Sequence, residues 1–346
     1  MLKTTLMYQE IHEQPEALRN TYKLNIEKIK KVATAVKEAK ITNVILTARG
    51  SSDNVCVYFK YLCEIYVGLP CGFSAPSVAT IYGGRLKLDH TLVIGVSQSG
   101  AGLDILQVID DANRCGAMTL AITNDPNSLL AKASHEDLFL GCGEEKSVAA
   151  TKTFTTQMYL LGLLVAELAD NDYLRDNLAK VPALLEETLK AEPLIEKLAI
   201  ESKGFYDCYM LARGLSYVTA LESALKLQET TYIKSKAYSI SDFYHGPFAV
   251  VDQSQNIFLL HGFGLTNMDT YAMFERLINT KANVIVVSND DYFSDYEKTL
   301  VTPKCEECIA PFSLIAAMQL FSNFLSLLKG NDPDTPRGLK KVTVTR

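Results

Sequence analysis

The chain has 346 residues, of which 48% are hydrophobic and 21% are charged. A chain of this length and composition predicts about two globular domains with sizeable cores, at roughly 150 residues each. Its 34 Lys and Arg residues against 40 Asp and Glu residues give a net charge of −6, which argues against binding nucleic acid through bulk charge.

No segment of the sequence predicts a membrane span or a secretory signal. The most apolar segment identified, 158–169, is shorter than the ~20 residues of a span and contains Glu167. The first ten residues lack the apolar core and cleavage site of a signal peptide. We therefore expect a cytoplasmic protein whose eight cysteines are mostly small buried side chains. Cys305 and Cys308 have C-x-x-C spacing, but no second close pair or nearby histidine completes a zinc site, so no metal is expected.

Strand and helix patterns alternate along the chain after an N-terminal segment, 1–39, with helical spacing. The first strands are predicted at 44–46, 92–96 and 118–122. Helical patterns follow at 54–67, 103–115 and 153–168, and the second of these places Leu103, Leu106, Ile109 and Ala112 on one face. This alternation predicts an α/β fold with a doubly wound parallel sheet.

The same order of motifs occurs twice. A-R-G-S-S at 48–52 returns as A-R-G-L-S 164 residues later, and strand 92–96 matches 256–260 at the same offset. The segment 119–125 matches 284–290 at an offset of 165. We predict two tandem flavodoxin-like domains at 40–170 and 204–328, joined by a helical linker at 171–203 and followed by a tail at 329–346.

Two loops that carry hydroxyl groups follow neighbouring predicted strands. They are Ser51-Ser52 and Ser97-Gln98-Ser99, at the strand ends where open α/β sheets bind ligands. Each loop alone is also compatible with an ordinary turn. Neither a P-loop nor a complete dinucleotide fingerprint is present, so a small phosphorylated metabolite is expected rather than ATP or NAD. The second copy reads H-G-F-G at 261–264 and lacks the hydroxyl groups, so only the first copy is expected to bind phosphate.

Candidate acid–base groups lie in the second copy. Glu222, Lys226 and Glu229 share one face of the helix predicted at 217–232. They form either a solvated stripe with an i,i+4 ion pair or a proton-transfer base tuned by the lysine. His245 lies in a Y-H-G-P turn, where an exposed imidazole suits a proton donor near neutral pH.

With these motifs the chain resembles the double-SIS (sugar isomerase) proteins. This family includes the isomerase half of glucosamine-6-phosphate synthase, SIS-type glucosamine-6-phosphate deaminases, and related ketose/aldose isomerases and deglycases. The motifs that carry the resemblance are R-G-S-S-D at 49–53, S-Q-S-G at 97–100, S-V-A-A-T-K-T-F at 147–154, A-L-E-S-A-L-K-L-Q-E at 220–229, H-G-P at 245–247 and P-R-G-L-K-K at 336–341.

The resemblance implies tandem SIS domains, no cofactor and a sugar phosphate as ligand. The residues it assigns to the phosphate and sugar are Ser51, Ser52, Ser97, Gln98 and Ser99, with the backbone near Val148 closing the site. It also implies a homodimer whose active site lies at the subunit interface.

The resemblance further assigns the chemistry. Glu229 corresponds to the carboxylate that moves a proton between C1 and C2, with Lys226 one turn away. His245 corresponds to the ring-opening histidine, usually lent by the neighbouring subunit. Lys341 corresponds to the tail lysine that can form an imine with an open-chain ketose, whereas a tail of this composition is otherwise a frayed basic end.

We expect an enzyme that converts an amino-sugar phosphate to a ketose phosphate with loss of ammonia. Plain ketose/aldose isomerisation, cleavage of a sugar-phosphate–amine adduct, and a non-catalytic sugar-phosphate sensor are the alternatives. Gly102 and Ala150 replace a threonine and a serine of the synthase, which implies altered contacts with the ligand. The sequence begins without a glutaminase domain, so amination driven by glutamine is not expected.

Overall fold

The computed structural model describes residues 3–341, which form two compact units, each built on one five-stranded parallel sheet. The first unit comprises residues 16–145, 152–179 and 340–341. The second comprises residues 3–15, 146–151 and 180–339. Neither unit is continuous in sequence, because the segments 3–15 and 146–151 fold with the second sheet.

Helices and strands alternate as the sequence pattern predicts. In chain order they are α1 (Leu6–His12), α2 (Gln14–Glu38), β1 (Asn43–Thr47), α3 (Ser51–Leu62), β2 (Cys71–Phe73), α4 (Pro76–Thr80), β3 (Thr91–Val96), α5 (Leu103–Arg114), β4 (Met118–Thr123), α6 (Leu129–Ala133), β5 (Glu136–Phe139), α7 (Lys152–Leu168), α8 (Asp172–Leu178), α9 (Val181–Leu189), α10 (Glu192–Glu201), β6 (Asp207–Ala212), α11 (Tyr217–Thr231), β7 (Lys234–Ser239), α12 (Ile240–Tyr244), β8 (Asn256–His261), α13 (Asn267–Asn279), β9 (Asn283–Ser288), β10 (Thr299–Val301) and α14 (Ala310–Leu328).

The first sheet has the strand order β2-β1-β3-β4-β5. Every residue of β3 is buried, as in a parallel strand covered on both faces. Helix α5 packs through Ile105, Ile109 and Ala112, which are buried with Val93 and Ala121. The sequence prediction placed Leu103 on this face, but Leu103 is 50% exposed, because steps of three residues drift around a helix of 3.6 residues per turn and carry Leu103 away from the face of Ile105 and Ile109.

The second sheet repeats the first strand for strand. Its order, β10-β9-β8-β6-β7, corresponds to β5-β4-β3-β1-β2 at the offsets found in the sequence. An ion pair is also repeated: Arg49 Nε lies 2.7 Å from Asp104 Oδ2, and Arg213 Nε lies 3.0 Å from Asp269 Oδ2. The predicted duplication of an α/β domain is therefore confirmed.

Helix α14 forms the centre of the second unit. It packs against α1, α9, α10 and α11, and its residues 310–326 are all buried. Among residues 3–341 it is the one helix long and apolar enough to cross a membrane by length and composition, and 89% of that window is buried inside the protein. The sequence prediction that 158–169 is the most apolar segment was wrong, because it overlooked α14.

Removing a large side chain from α14 tests this core. Phe321 is fully buried and meets Phe258 of β8 edge to face, with ring centroids 5.3 Å apart. We expect Phe321→Ala to lower the free energy of unfolding by about 3–5 kcal/mol, since burial is lost and a cavity is left. Phe263→Ala, at an exposed position, is the control. Urea unfolding measures both, and equal effects would show that Phe321 does not contribute to the core of the second unit.

Candidate functional site

The serine loops of the first unit lie where its strand order changes direction. β1 and β3 are neighbours, and the sheet is extended by β2 beyond β1 and by β4 beyond β3. Ser51 begins α3 directly after β1, and Ser97 follows β3. A parallel sheet of this order binds ligands outside the carboxyl ends of these two strands. The predicted neighbourhood of the two loops is confirmed.

Backbone N–H groups of the loop that follows β3 form hydrogen bonds with the serine hydroxyl groups of the same loop. Gly100 N–H donates to Ser97 Oγ at 3.1 Å, and Ala101 N–H donates to Ser99 Oγ at 3.3 Å. Each hydroxyl oxygen accepts a hydrogen bond from the loop and keeps its own hydrogen to donate to an anion. The carbonyl oxygen of Gln98 accepts the N–H of Asn124 at 2.9 Å, which ties the loop to the end of β4.

Glycine is required at position 100. Its φ is +59°, and a Cβ there would lie 2.3 Å from Ser128 Oγ. This close approach brings the loop against the start of α6, where Leu130 N–H donates to the Gly100 carbonyl oxygen at 3.2 Å. The turn therefore depends on a residue without a side chain.

Arg49 adds a positive charge at the same edge of the sheet. Its Nε bonds to the buried Asp104 at the start of α5, while about half of the Arg49 side chain remains exposed. Arg49 belongs to the R-G-S-S-D motif of the sequence, but no role was predicted for it. The sequence repeat could have revealed the importance of Arg49, because its partner Asp104 has a counterpart in Asp269, 165 residues later.

The corresponding crevice of the second unit is filled by the chain itself. Glu307 Oε2 accepts the N–H of Leu265 at 2.9 Å, and Asn289 Oδ1 accepts the N–H of Phe263 at 2.7 Å. Gly264 N–H donates to Asn267 Oδ1 at 2.7 Å. The backbone donors that could hold an anion are thus satisfied by side chains, and one of these is itself a carboxylate.

Helix α11 carries three charged residues along one face, Glu222, Lys226 and Glu229, which we call the charge row. Two of the three are fully buried. Lys226 Nζ lies 3.2 Å from Glu222 Oε1 and 2.5 Å from Glu229 Oε2, and neither Lys226 nor Glu222 has exposed side-chain surface. Glu229 is 21% exposed. Burial alone lowers the pKa of Lys226, but the carboxylates of Glu222 and Glu229 outweigh it and raise this pKa above its ordinary value. The solvated-stripe interpretation is wrong, and Glu229 is left as a carboxylate at the surface with a fixed ammonium group behind it.

His245 and Val148 also belong to the second unit. His245 follows α12, is exposed, and donates its backbone N–H to the Asp242 carbonyl oxygen at 3.1 Å. Val148 is partly buried in the irregular segment 146–151, and its N–H donates to the Asp334 carbonyl oxygen at 3.1 Å. That N–H is already used, so contact with a sugar through the Val148 backbone would involve its carbonyl oxygen.

Lys341 of the first unit is paired with a buried carboxylate. Its Nζ donates to Glu145 Oε2 at 2.7 Å, and Glu145 also accepts from the N–H and the hydroxyl group of Thr153 at the start of α7. Burial raises the pKa of Glu145, but Lys341 and Thr153 reverse this and hold it below its ordinary value. Glu145 was not predicted from the sequence, and no local pattern pairs it with Lys341, which lies 196 residues further along the chain.

The predicted residues are thus divided between the units. Ser51, Ser52, Ser97, Gln98, Ser99 and Lys341 belong to the first unit, and Val148, Lys226, Glu229 and His245 belong to the second. Residues 3–341 contain no group of three or more His, Cys, Asp or Glu side chains that could hold a metal ion. No disulfide joins the cysteines of this part of the chain.

The two copies supply a matched test of anion binding. We expect Ser97→Ala/Ser99→Ala to weaken binding of inorganic phosphate more than tenfold, since each lost hydrogen bond to a charged group contributes about 1.5 kcal/mol or more. Ser216, the counterpart of Ser52, accepts the N–H of Gly262 at 3.0 Å in the filled crevice. Ser216→Ala should leave phosphate binding unchanged. Titration calorimetry measures both variants. Weaker phosphate binding in Ser216→Ala alone would place the anion in the second unit and contradict the prediction.

Lys226→Met tests the buried charges. We expect it to lower the free energy of unfolding by about 3–5 kcal/mol at pH 8, because Glu222 and Glu229 lose their counterion. The loss should shrink at pH 5, where a buried carboxyl group without a counterion takes up a proton. Lys197→Met, on an exposed lysine, is the control. Urea unfolding at both pH values gives the free energy of unfolding of each variant. If Lys226→Met lost the same free energy at pH 5 as at pH 8, the buried charges would not explain the loss.

Comparison with known proteins gives the family. The family model described as SIS domain matches residues 37–167 and 207–316. Glutamine–fructose-6-phosphate aminotransferase [isomerizing] from Thermococcus kodakarensis is 33% identical over 350 residues, covering 98% of this chain and 58% of the relative. The chain therefore spans less than two thirds of the length of that relative.

Solved structures agree in fold. The C-terminal domain of glucosamine-fructose-6-phosphate aminotransferase from Francisella tularensis has a TM-score of 0.87 at 27% identity, covering 96% of this chain and 98% of its own. Glucosamine-6-phosphate deaminase from Thermotoga maritima has a TM-score of 0.78 at 20% identity, covering 99% and 100%, and shows the fold alone. Two matched regions, two equivalent sheets and a serine loop in the first of them lead to one conclusion: the chain belongs to the SIS domain family, as a protein with two such domains.

Proposed function

We propose that the protein is a phosphosugar isomerase that converts an amino-sugar phosphate, such as glucosamine 6-phosphate, to a ketose phosphate and releases ammonia. The observation that carries the proposal is the charge row of α11, in which Glu229 reaches the surface while Lys226 is buried behind it. Such a carboxylate suits a base that takes a proton from one carbon and returns it to the next. The printed name of the Thermococcus relative, an isomerizing fructose-6-phosphate aminotransferase, supports the substrate class.

In this proposal the serine loops bind the phosphate. The hydroxyl groups of Ser97 and Ser99 are oriented by loop N–H groups, and Ser51 and Ser52 add donors at the start of α3. Arg49 supplies a positive charge at the same strand ends. This arrangement recognises the charge of the ligand and holds the sugar while its carbon atoms react.

The proposed reaction conserves atoms with water as the only second reactant. His245 moves the proton that opens the ring and exposes the C1 aldehyde. Glu229 takes the proton from C2 while the C1 aldehyde oxygen gains a proton from water, giving an enolamine. Glu229 then returns its proton to C1 while the nitrogen gives a proton back to water, giving an imine at C2. Water adds to C2, the C–N bond breaks, and ammonia leaves with a ketose phosphate as product.

Lys226 and Glu222 set the electrostatics of this step. The ammonium group of Lys226 lies 2.5 Å from Glu229 and fixes the position of its carboxylate. Because Lys226 also bonds to Glu222, it is held in place when Glu229 becomes protonated. Lys226 and Glu222 are positioning residues in this scheme, and Glu229 is the catalytic base.

We further propose that the active protein is a cytoplasmic homodimer in which His245 of one copy serves the neighbouring copy. The exposed position of His245 after α12 is compatible with this arrangement. The absence of a disulfide among the described cysteines is compatible with a reducing compartment.

Plain aldose–ketose isomerisation is the second candidate, because Glu229 could equally move a proton between C1 and C2 of a sugar phosphate that carries no nitrogen. The two candidates differ in whether nitrogen leaves the substrate.

A substrate panel separates the candidates. Glucosamine 6-phosphate, fructose 6-phosphate and a fructosamine 6-phosphate adduct are incubated with the protein and assayed for ammonia, free amine and ketose. We expect ammonia and ketose phosphate in equal amounts from glucosamine 6-phosphate. Aldose–ketose interconversion without ammonia would select plain isomerisation, and binding without any turnover would select the sensor.

Glu229→Gln tests the catalytic assignment. The amide cannot accept the proton from C2, so we expect turnover to fall at least 10³-fold while the Kd for the sugar phosphate changes less than threefold. Glu201→Gln, on an exposed residue of α10, is the matched control. Turnover that survives in Glu229→Gln would contradict the assignment of Glu229 as the base.

A further inference from the structure

We propose that the N-terminal helix α1 is a positioning element of the site, in which Glu10 fixes the backbone of the segment 146–148. The inference rests on the proposed function and on the expectation from the sequence resemblance that the backbone of Val148 closes the site on the sugar. It assigns a role to Glu10 and Asp334, which the sequence analysis did not single out. All the contacts that carry it lie within the second unit.

Glu10 holds the segment from one side. Its side chain is buried, and its Oε1 accepts the N–H of Lys146 at 2.5 Å while its Oε2 accepts the N–H of Ser147 at 3.3 Å. Hydrogen bonds from backbone N–H groups to a carboxylate are charge-assisted and stronger than those between neutral groups. One carboxylate therefore fixes two consecutive peptide groups immediately before Val148.

Asp334 closes a ring of hydrogen bonds from the other side. Its carbonyl oxygen accepts the N–H of Val148 at 3.1 Å. Its carboxylate accepts the N–H groups of Leu6 and Met7, each at 2.7 Å, at the start of α1. The ring runs from α1 through Glu10 to the segment, from Val148 to Asp334, and back to α1.

The far end of the segment is anchored as well. Gln319 Nε2 of α14 donates to the Thr151 carbonyl oxygen at 3.3 Å, and Gln319 Oε1 accepts from Gln14 Nε2 at 2.6 Å. Between these anchors, Ala149 is buried in the same hydrophobic cluster as Met7 and Ile11 of α1. The segment forms no helix or strand of its own, so these contacts determine its conformation.

The arrangement makes Glu10 a positioning residue rather than a catalytic one. Its two carboxylate oxygens are directed at the backbone of residues 146 and 147, and its effect on a sugar passes through the neighbouring peptide of Val148. Loss of Glu10 should therefore weaken contact with the sugar ring and leave phosphate binding, assigned to the serine loops, intact. A general loss of stability would not discriminate between these two ligands.

Glu10→Ala and Glu10→Gln test the role, with Glu16→Gln on an exposed carboxylate as the control. The probes are fructose 6-phosphate and inorganic phosphate in titration calorimetry, together with amide hydrogen exchange of residues 146–148. We expect Glu10→Ala to weaken fructose 6-phosphate binding about tenfold with phosphate binding within twofold of wild type. Exchange at these amides should be at least tenfold faster. Glu10→Gln should show smaller changes, because an amide oxygen still accepts one of the two N–H groups.

Unchanged exchange in both Glu10 variants would overturn the inference whatever the function. Faster exchange with a parallel loss of both ligands, or with no loss of fructose 6-phosphate, would also overturn it, because the segment would then not contact the sugar. If Glu10→Ala does not fold, Glu10→Gln carries both measurements. Failure of the proposed function is distinct: wild-type protein would bind neither ligand, and the exchange measurement would still decide whether Glu10 holds the segment.

Discussion

The charge row on α11 is the constraint on which the functional interpretation depends. Glu222 and Lys226 have no exposed side-chain surface, so each has lost its hydration. Burying an isolated charge costs several kcal/mol, and the mutual contacts of the row offset this only if all three groups stay in register. The helix places them at i, i+4 and i+7, on one face. The carboxylate of Glu229 is thereby fixed in place, because moving it would leave Lys226 with one carboxylate instead of two.

The duplication shows how two copies of one scaffold can differ in the loops that follow their central strands. Both units retain the strand order and the Arg–Asp ion pair, so their architecture is not what separates them. The difference lies in what satisfies the backbone donors at the carboxyl ends of the central strands. In the first unit serine hydroxyl groups accept from the loop and can still donate to a ligand. In the second unit Glu307, Asn267 and Asn289 take the donors themselves, and Glu307 places its own negative charge where a phosphate would have to bind.

The sequence predicted what depends on local pattern and failed where distant parts of the chain meet. Buried strands such as β3 and the offset of the repeats are local features, so their positions were predicted to within a residue or two. The helix α5 was also predicted, but Leu103 was placed on its buried face and is exposed, since residues spaced three apart drift around a helix of 3.6 residues per turn. Spacing showed that Glu222 and Lys226 share a face but not that this face is buried. For that reason the solvated stripe remained an alternative until the structure excluded it.

Residue spacing in the sequence could not reveal the contacts of Glu10 and Glu145, and these two residues have one feature in common. Each is a buried carboxylate that accepts backbone N–H groups. Glu10 binds two N–H groups of the irregular segment 146–148, far along the chain, and Glu145 binds one at the start of α7, across a loop. Irregular backbone cannot satisfy its own donors, and water is excluded where it is buried. A carboxylate has two oxygens that accept only, so Glu10 can hold two successive N–H groups, and Glu145 can hold Thr153 and still pair with Lys341. A glutamine in either position would present one acceptor and one donor. The number of donors to be satisfied therefore favours glutamate at both positions. Electrostatic contacts, as well as packing, thus position the segment at Val148 and the side chain of Lys341.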